Sequence, residues 1–508
     1  MCSSDLLTKP IINGALGYTE FNTSEGTLNT IYGMVNLIFA IGALIGVLST
    51  GELSGRYGRR VMLYSGDILA LVTILPALFA NLGSILFFRF VSGIVAGINL
   101  SIYSVLLAEL LPNKLCGIGG IMGYFFITIG VLFSYICQNI WEYQDLVNYW
   151  RVFLIYPMII ALFRLCTYPF LFKSDSPKYI YEKANSDNNQ SISSKSTPFP
   201  DTPNLKNPER TILSPDGVTN TVADTEQELV KKPESEKTAV PATLVTPDYI
   251  RGLADIRMAY CAIYDDEDAE KVTMENVNYW EIQRKKGLNK IKLRELFTPK
   301  YRRQLLIGSF CSLAQQLTGI NFFGFYSTVL FDSISGDGKT ATLIVGLCNI
   351  GGCFISVFTT FKAGRKPNLV LGSIGEAIGW MFFIIGYMLL NTGLLYTSAV
   401  IYMLSYSVGL GGSQALYISE VLPPIGVGVA LAVLWFFVGL TGFTFPFLIK
   451  SVGPVAMASF FLIFSVFSGF YIWLTAVETK DKSEKLIFEE FNQSYLHIRS
   501  KESPSSNE

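Results

Sequence analysis

Gly55-Arg-Tyr-Gly-Arg-Arg60 and Ala363-Gly-Arg-Lys366 are short basic loops that occupy matching places in the two halves of this chain. Each follows an apolar run long enough for a helix. Two apolar runs later each half closes on an acidic stop, Glu109-Leu-Leu-Pro112 in the first and Glu420-Val-Leu-Pro423 in the second. Basic loops repeated between hydrophobic runs point to a duplicated helical bundle in a membrane. Such repeats place a polar-solute site near the bilayer midplane, between the halves. The pattern predicts a carrier and no enzyme.

Composition agrees with a membrane protein. Of 508 residues 50% are hydrophobic and 16% charged, and the mean hydropathy is +0.39. A soluble domain carries about a quarter charged residues. The net charge of −1 gives no basic field for nucleic acid. The cysteines (Cys2, Cys116, Cys137, Cys166, Cys261, Cys311, Cys348 and Cys353) are scattered, most of them in apolar runs, and form no CxxC pair. They read as small membrane-core residues. His497 is the only histidine and lies in the polar tail, so neither a metal site nor a cofactor is expected. Residues 1–28 lack the basic start and apolar stretch of a cleavable signal.

A spanning helix needs about 20 mostly apolar residues. Eleven candidate spans fall near 30–50, 61–81, 84–110, 117–139, 150–172, 304–331, 340–361, 367–390, 394–419, 427–449 and 453–477. Gly42, Gly46, Gly93, Gly97, Gly346, Gly351 and Gly352 within them suit close helix contact. Lys and Arg in short loops mark the cytosolic side. Arg56, Arg59, Arg60, Lys362, Arg365 and Lys366 therefore orient both halves, with 1–28 external and the tail 478–508 cytosolic. Asn22-Thr23-Ser24 is a glycosylation sequon on the external side. The expected organisation is an N-terminal bundle over 29–173, a cytosolic loop over 174–303 and a C-terminal bundle over 304–477. Within the loop, 184–248 is rich in Ser, Pro, Thr, Asn and Glu, a composition that predicts disorder; short helices are expected after it. Aligning the halves on their basic loops leaves 304–331 without a partner. The first helix is expected to be missing, lost upstream or dispensed with.

In this order the motifs resemble those of the sugar porters of the major facilitator superfamily. Gly51-Glu-Leu-Ser-Gly-Arg-Tyr-Gly-Arg-Arg60 looks like the loop after the family's second helix. Arg89-x3-Gly93-x3-Gly97 with Glu109 and Pro112 looks like its fourth, and Trp150-Arg151 precedes its sixth. Ser174-Asp-Ser-Pro-Lys-Tyr179 resembles the PESPR signature, Gln315-Gln-Leu-Thr-Gly-Ile-Asn321 the QQLSGIN of helix seven, and Val477-Glu-Thr-Lys480 the PETK ending. The resemblance implies an all-α multi-pass membrane protein with the major facilitator fold, two pseudo-symmetric helical bundles. It also implies sugar transport by alternating access, a small-molecule sugar as partner and a site in the plasma membrane.

Gln315, Gln316 and Asn321 are amides inside an apolar run, costly there unless they find partners. Each donates and accepts hydrogen bonds, which suits sugar hydroxyls; helix-to-helix bonding is the alternative use. Gln315 and Asn321 share a face only where the helix breaks, and Gly319 permits a break. The resemblance implies that Gln315, Gln316, Asn321 and Asn349 bind sugar and that Tyr326 gates the outer side. It implies a cytosolic charge network of Arg56, Arg59, Arg60, Glu109, Arg365 and Glu420. The chain also departs from the family. Tyr124 replaces a glutamine, Gly409-Leu-Gly-Gly-Ser-Gln-Ala415 carries no proline, and Trp435 is displaced from the family's tryptophan position. Cys116, Val427 and Gly55 stand where the network has other residues, which predicts a bias toward the inward-facing state. Asp67, Arg89, Arg164 and Glu376 are further charges within spans. Glu376 either pairs with another helix or carries a proton; proton coupling stays open. The function expected is facilitative transport of a hexose-like sugar such as glucose. The alternatives are a carrier of a pentose, polyol or other small metabolite, or a carrier-derived sugar sensor, which flux of labelled solute separates.

Overall fold

The computed structural model describes residues 25–77, 81–110, 113–144, 150–171, 293–323, 338–482 and 486–492, with a few positions in 175–183 and 257–274. The segments 1–24 and 184–248 lie outside the described residues. The chain divides into two compact units, Met1–Tyr179 with Met274–Glu508, and Ile180–Thr273. The first carries all the helices below.

Five of these helices precede the long loop: α1 (Glu25–Tyr57), α2 (Arg59–Ala77), α3 (Leu82–Leu110), α4 (Asn113–Gln144) and α5 (Trp150–Leu171). After it come α6 (Arg302–Leu317), α7 (Gly338–Lys362), α8 (Arg365–Met388), α9 (Thr392–Tyr406), α10 (Gln414–Val421), α11 (Pro424–Val452) and α12 (Pro454–Thr475). Among the described residues all regular structure is helical. Eight spans are long and apolar enough to cross a membrane, counting α9 through α10 as one. The exceptions have local causes. Helix α2 carries Arg59, Arg60 and Asp67, and the described apolar stretch of α5 is only Pro157–Pro169. Helix α6 stops after 16 residues.

Contacts between helices reproduce the duplication. Aligned on the basic loops, α1 corresponds to α7, α2 to α8, α3 to α9 with α10, α4 to α11 and α5 to α12. Within the first half α1 packs on α3, α2 on α3 and α2 on α5; their counterparts α7 on α9, α8 on α9 and α8 on α12 pack likewise. The seams between the halves, α1 with α11 and α4 with α7, are each other's counterparts. Helix α6 lies against α10, α11 and α12 and has no counterpart among the described residues. Small residues bring the backbones together: a Cβ on Gly42 or Gly46 would strike α3 carbonyls, and one on Gly93 or Gly97 those of α1.

The repeated basic loops have a repeated structural cause. Gly58 (φ +94°) and Gly364 (φ +101°) turn the chain into α2 and α8 in a conformation only glycine adopts readily. A carboxylate then caps each helix. Asp175 Oδ1 accepts from the backbone N–H of Arg59 at 3.1 Å and of Arg60 at 3.3 Å. Glu478 accepts from the N–H of Arg365 and of Lys366, each at 3.0 Å. Each cap comes from the segment after the last helix of its own half. It ties both ends of the bundle together and places negative charge at a helix N-terminus. A Cβ at either glycine would overlap the capping carboxylate.

Candidate functional site

The amides meet where α6 breaks. The helix ends at Leu317, Thr318 caps it, and Gly319 takes φ +102°. Helical backbone resumes at 320–323. A Cβ on Gly319 would strike the rings of Trp380 and Phe461, so glycine answers both conformation and space. The Thr318 carbonyl, freed from the helix, accepts from Trp380 Nε1 at 2.8 Å and from the Tyr402 hydroxyl at 3.2 Å. The break returns Asn321 toward Gln316: Asn321 Nδ2 donates to Gln316 Oε1 at 2.9 Å and to Thr441 Oγ1 of α11 at 2.7 Å. Gln315 is buried beside them, and its Oε1 has no hydrogen-bond partner. An acceptor left so in an apolar bundle is costly to keep unless something supplies a donor.

Asn349 of α7 forms a second polar centre. Its Oδ1 accepts from the Tyr124 hydroxyl at 2.8 Å and from Ser407 Oγ at 2.7 Å. Tyr124 belongs to α4, so this bond crosses between the bundles. Its ring also meets Tyr406 edge-on at 6.3 Å and fills the space a Cβ on Gly411 would take. Ser407 opens a π turn (Ser407–Gly411) between α9 and α10. The departure from helical geometry falls at Gly409 (φ −88°, ψ −105°). Gly409 lies against Gly372 of α8, an approach two glycines allow. Trp435 is buried on the α1–α11 seam, edge-on to Phe39 at 5.8 Å, and its Nε1 has no partner.

The structure divides the charged residues by half. Arg365 grips Glu420 with two bonds, Nη2 to Oε1 at 2.6 Å and Nε to Oε2 at 3.1 Å, and Thr479 Oγ1 donates to the same carboxylate at 2.5 Å. Arg56 pairs with Glu52 of its own helix at 2.5 Å, exposed to solvent. The guanidinium of Arg59 donates to the Ser54 carbonyl and lies over the Tyr179 ring, and that of Arg60 lies over Tyr64. The side chain of Glu109 and all of Tyr326 lie outside the described residues. Within the membrane Asp67 of α2 pairs with Arg164 of α5. Among the described residues no cluster of metal-ligating groups occurs.

Thr441, Ser407, Asp175 and Glu478 are absent from the site residues read out of the sequence. The two carboxylates had a signal in the motifs, since each follows the last span of its half. The hydroxyls had none beyond a polar atom in an apolar run.

The sequence matches the family described as "Sugar (and other) transporter" over residues 12–212 and 250–493. That covers most of the chain, including both amide centres. The chain belongs to the sugar porter family of the major facilitator superfamily. Among this porter's relatives, YncC of Bacillus subtilis (strain 168), named for metabolite transport, is 24% identical over 96% of this chain and 92% of that one. The rat "Solute carrier family 2, facilitated glucose transporter member 5" is 24% identical over 93% and 82%. The fold matches the proton:xylose symporter XylE bound to 6-bromo-6-deoxy-D-glucose, with a TM-score of 0.70 at 18% identity over 96% of both chains.

Proposed function

We propose that this porter carries a hexose-like sugar, glucose foremost, down its gradient by alternating access, in the plasma membrane with the basic loops in the cytosol. The observation that carries the reading is the amide group at the α6 break. Gln316, Asn321 and Thr441 fix one another, while Gln315 presents an unpartnered buried acceptor beside them. A sugar hydroxyl supplies the missing donor without requiring charge. Asn349 and Tyr124 stand on opposite bundles, so a solute that replaces their mutual bond is sensed by both halves. The fold match and the glucose-transporting relatives support the same solute class. Release requires weak binding, roughly millimolar or about 4 kcal/mol.

Tyr124 favours one second reading, a smaller polyol or pentose, because its ring occupies space and its hydroxyl already satisfies Asn349. Uptake of radiolabelled glucose into proteoliposomes, with xylose and a polyol in parallel and Gln315→Ala beside the wild type, tests both. Saturable glucose uptake whose apparent affinity falls in the variant supports the proposal. Uptake of the smaller solutes alone transfers the site to them, and binding without flux of any solute overturns transport in favour of sensing.

A further inference from the structure

Glu376 of α8 is fully buried, and neither of its carboxyl oxygens makes a hydrogen bond. Three other fully buried oxygens of the C-terminal bundle are also without partners: Thr318 Oγ1 at the break after α6, and Ser465 Oγ and Ser468 Oγ of α12, the helix packed on α8. The Thr318 hydroxyl faces the carboxyl but falls short of hydrogen-bond geometry. Gly469 lies against Ser373, a Cβ there standing 3.3 Å from the Ser373 Cβ. The antiparallel run of α12 along α8 then sets Ser465 at the level of Glu376. A carboxyl and the threonine it faces, with two serines on the packed helix α12, are thus buried without partners in the C-terminal bundle, and transport by the amides does not use them.

Among the described residues no cation faces the Glu376 carboxyl. Helices α9 and α12 carry no charged side chain, and the Lys339 and Lys362 of α7 stand at its ends. Tyr402 of α9 faces the carboxyl as a neutral phenol committed to the Thr318 carbonyl, and Tyr406 stacks on Tyr402. Glu420 of α10 and Glu478, the other carboxyls near α8, stand at the basic-loop end, where Arg365 holds the first and the backbone N–H groups of Arg365 and Lys366 hold the second. An unpaired buried carboxylate costs far more than a neutral carboxyl.

We infer that Glu376, with Thr318, Ser465 and Ser468, is a proton-binding site whose occupancy is linked to the sugar site through the α6 break. The link is contiguous. Glu376 and Trp380 lie one turn apart on the same face of α8; one faces the Thr318 side chain and the other holds its carbonyl. Two residues to one side stands Gln316, and three to the other Asn321. With the proton on, Glu376 is neutral and the break is undisturbed. With it off, a carboxylate beside Thr318 draws hydroxyls or water and shifts the turn that orients both amides. By linkage, sugar binding tightens the hold on the proton and the proton tightens the hold on sugar. Net proton movement with sugar is not required. Proton occupancy stands apart from the functional proposal, and only the linkage rests on the sugar reading.

The test reads the proton directly. Infrared difference spectra of the reconstituted porter, wild type against Glu376→Gln, are expected to show a protonated-carboxyl C=O band in the wild type that the variant lacks and that alkaline pH removes. As a reading on the wild type alone, a hydrophobic carbodiimide, which attacks protonated buried carboxyls, is expected to label Glu376 by mass spectrometry, less at high pH. Sugar affinity is expected to fall at least about fivefold across the pH interval in which the band disappears, and Glu376→Gln is expected to flatten that dependence. Absence of both band and label overturns the proton site, and so does label abolished by sodium at constant pH, which makes the pocket a cation site. A band present with no sugar binding at any pH leaves the proton site standing and counts against the sugar reading. A band with pH-independent sugar affinity overturns the linkage.

Discussion

Two neighbouring glutamines differ in how this porter's own structure holds them. Gln316 is tied to Asn321, whereas the Oε1 of Gln315 is tied to nothing. Gln315→Ala is therefore expected to weaken sugar binding about two- to tenfold, the worth of one hydrogen bond of 0.5–1.5 kcal/mol, without lowering the melting temperature in detergent. Gln316→Ala is expected to lower both. Equal melting losses in the two variants would refute the distinction. Asp67 allows a second contrast. Asp67→Ala leaves Arg164 within the bundle without its carboxylate, and breaking such a pair costs about 3–5 kcal/mol. Thermal melts are expected to show a large loss for the single change and substantial recovery when Arg164→Leu is added; no recovery would mean the pair is not the cause. The sequence disclosed the amides because an amide in hydrocarbon demands an explanation. It hid Thr441 and Ser407 because a hydroxyl in a helix satisfies itself. Thr441 Oγ1 bonds the Phe437 carbonyl and Ser407 Oγ that of Met403, so neither looks costly before the fold brings Asn321 and Asn349 to it.

At the scale of the element, the α6 break is a single-residue device. Gly319 combines φ +102° with rings of Trp380 and Phe461 where a Cβ would stand. Gly319→Ala is expected to destabilise the protein by about 1–3 kcal/mol and to abolish uptake even at temperatures where the variant stays folded. Uptake within twofold of wild type would show that the break is dispensable. Helices as a class were legible, because apolar runs bounded by basic loops leave few other structures possible in lipid. Their interruptions were less so. Apolarity runs straight through Leu317 and Gly409, and what stops the helices there is a contact from elsewhere: Trp380 and Tyr402 on the Thr318 carbonyl, Gly372 against Gly409. Glycine content alone does not say which of Gly409, Gly411 and Gly412 yields.

For the whole molecule, the ionic and apolar contacts divide the labour between halves. Among the described residues the two carboxylate caps and the Arg365–Glu420 pair each join elements of one half: Asp175 to α2, Glu478 to α8, Arg365 to Glu420. The seams between halves are made of close-packed side chains. Toward the basic-loop face these are Leu416 over Gly120, with Gly428 near the Val47 backbone. Toward the opposite face the Phe443 ring lies over Gly33, and Leu132 and Tyr135 over Gly346, with Phe125 against Phe354 at 5.1 Å nearer the middle. Aromatic area is thus concentrated on the far seam, and aromatic contacts bury the most surface per residue. With each half held by its own charges, the side with fewer ring contacts is expected to separate first. The unliganded porter is expected to open toward the basic loops. Maleimide labelling, measured above the native cysteines, should be several-fold faster at Val47→Cys than at Leu132→Cys. Leu416→Ala should widen the difference, since it empties the seat of Leu416 over Gly120. Raising the salt concentration should leave both rates unchanged, because interactions between exposed charges weaken in salt and packed apolar contacts do not. Faster labelling at Leu132→Cys, or a strong salt dependence at Val47→Cys, would show instead that charge pairing across the basic-loop face sets the resting state.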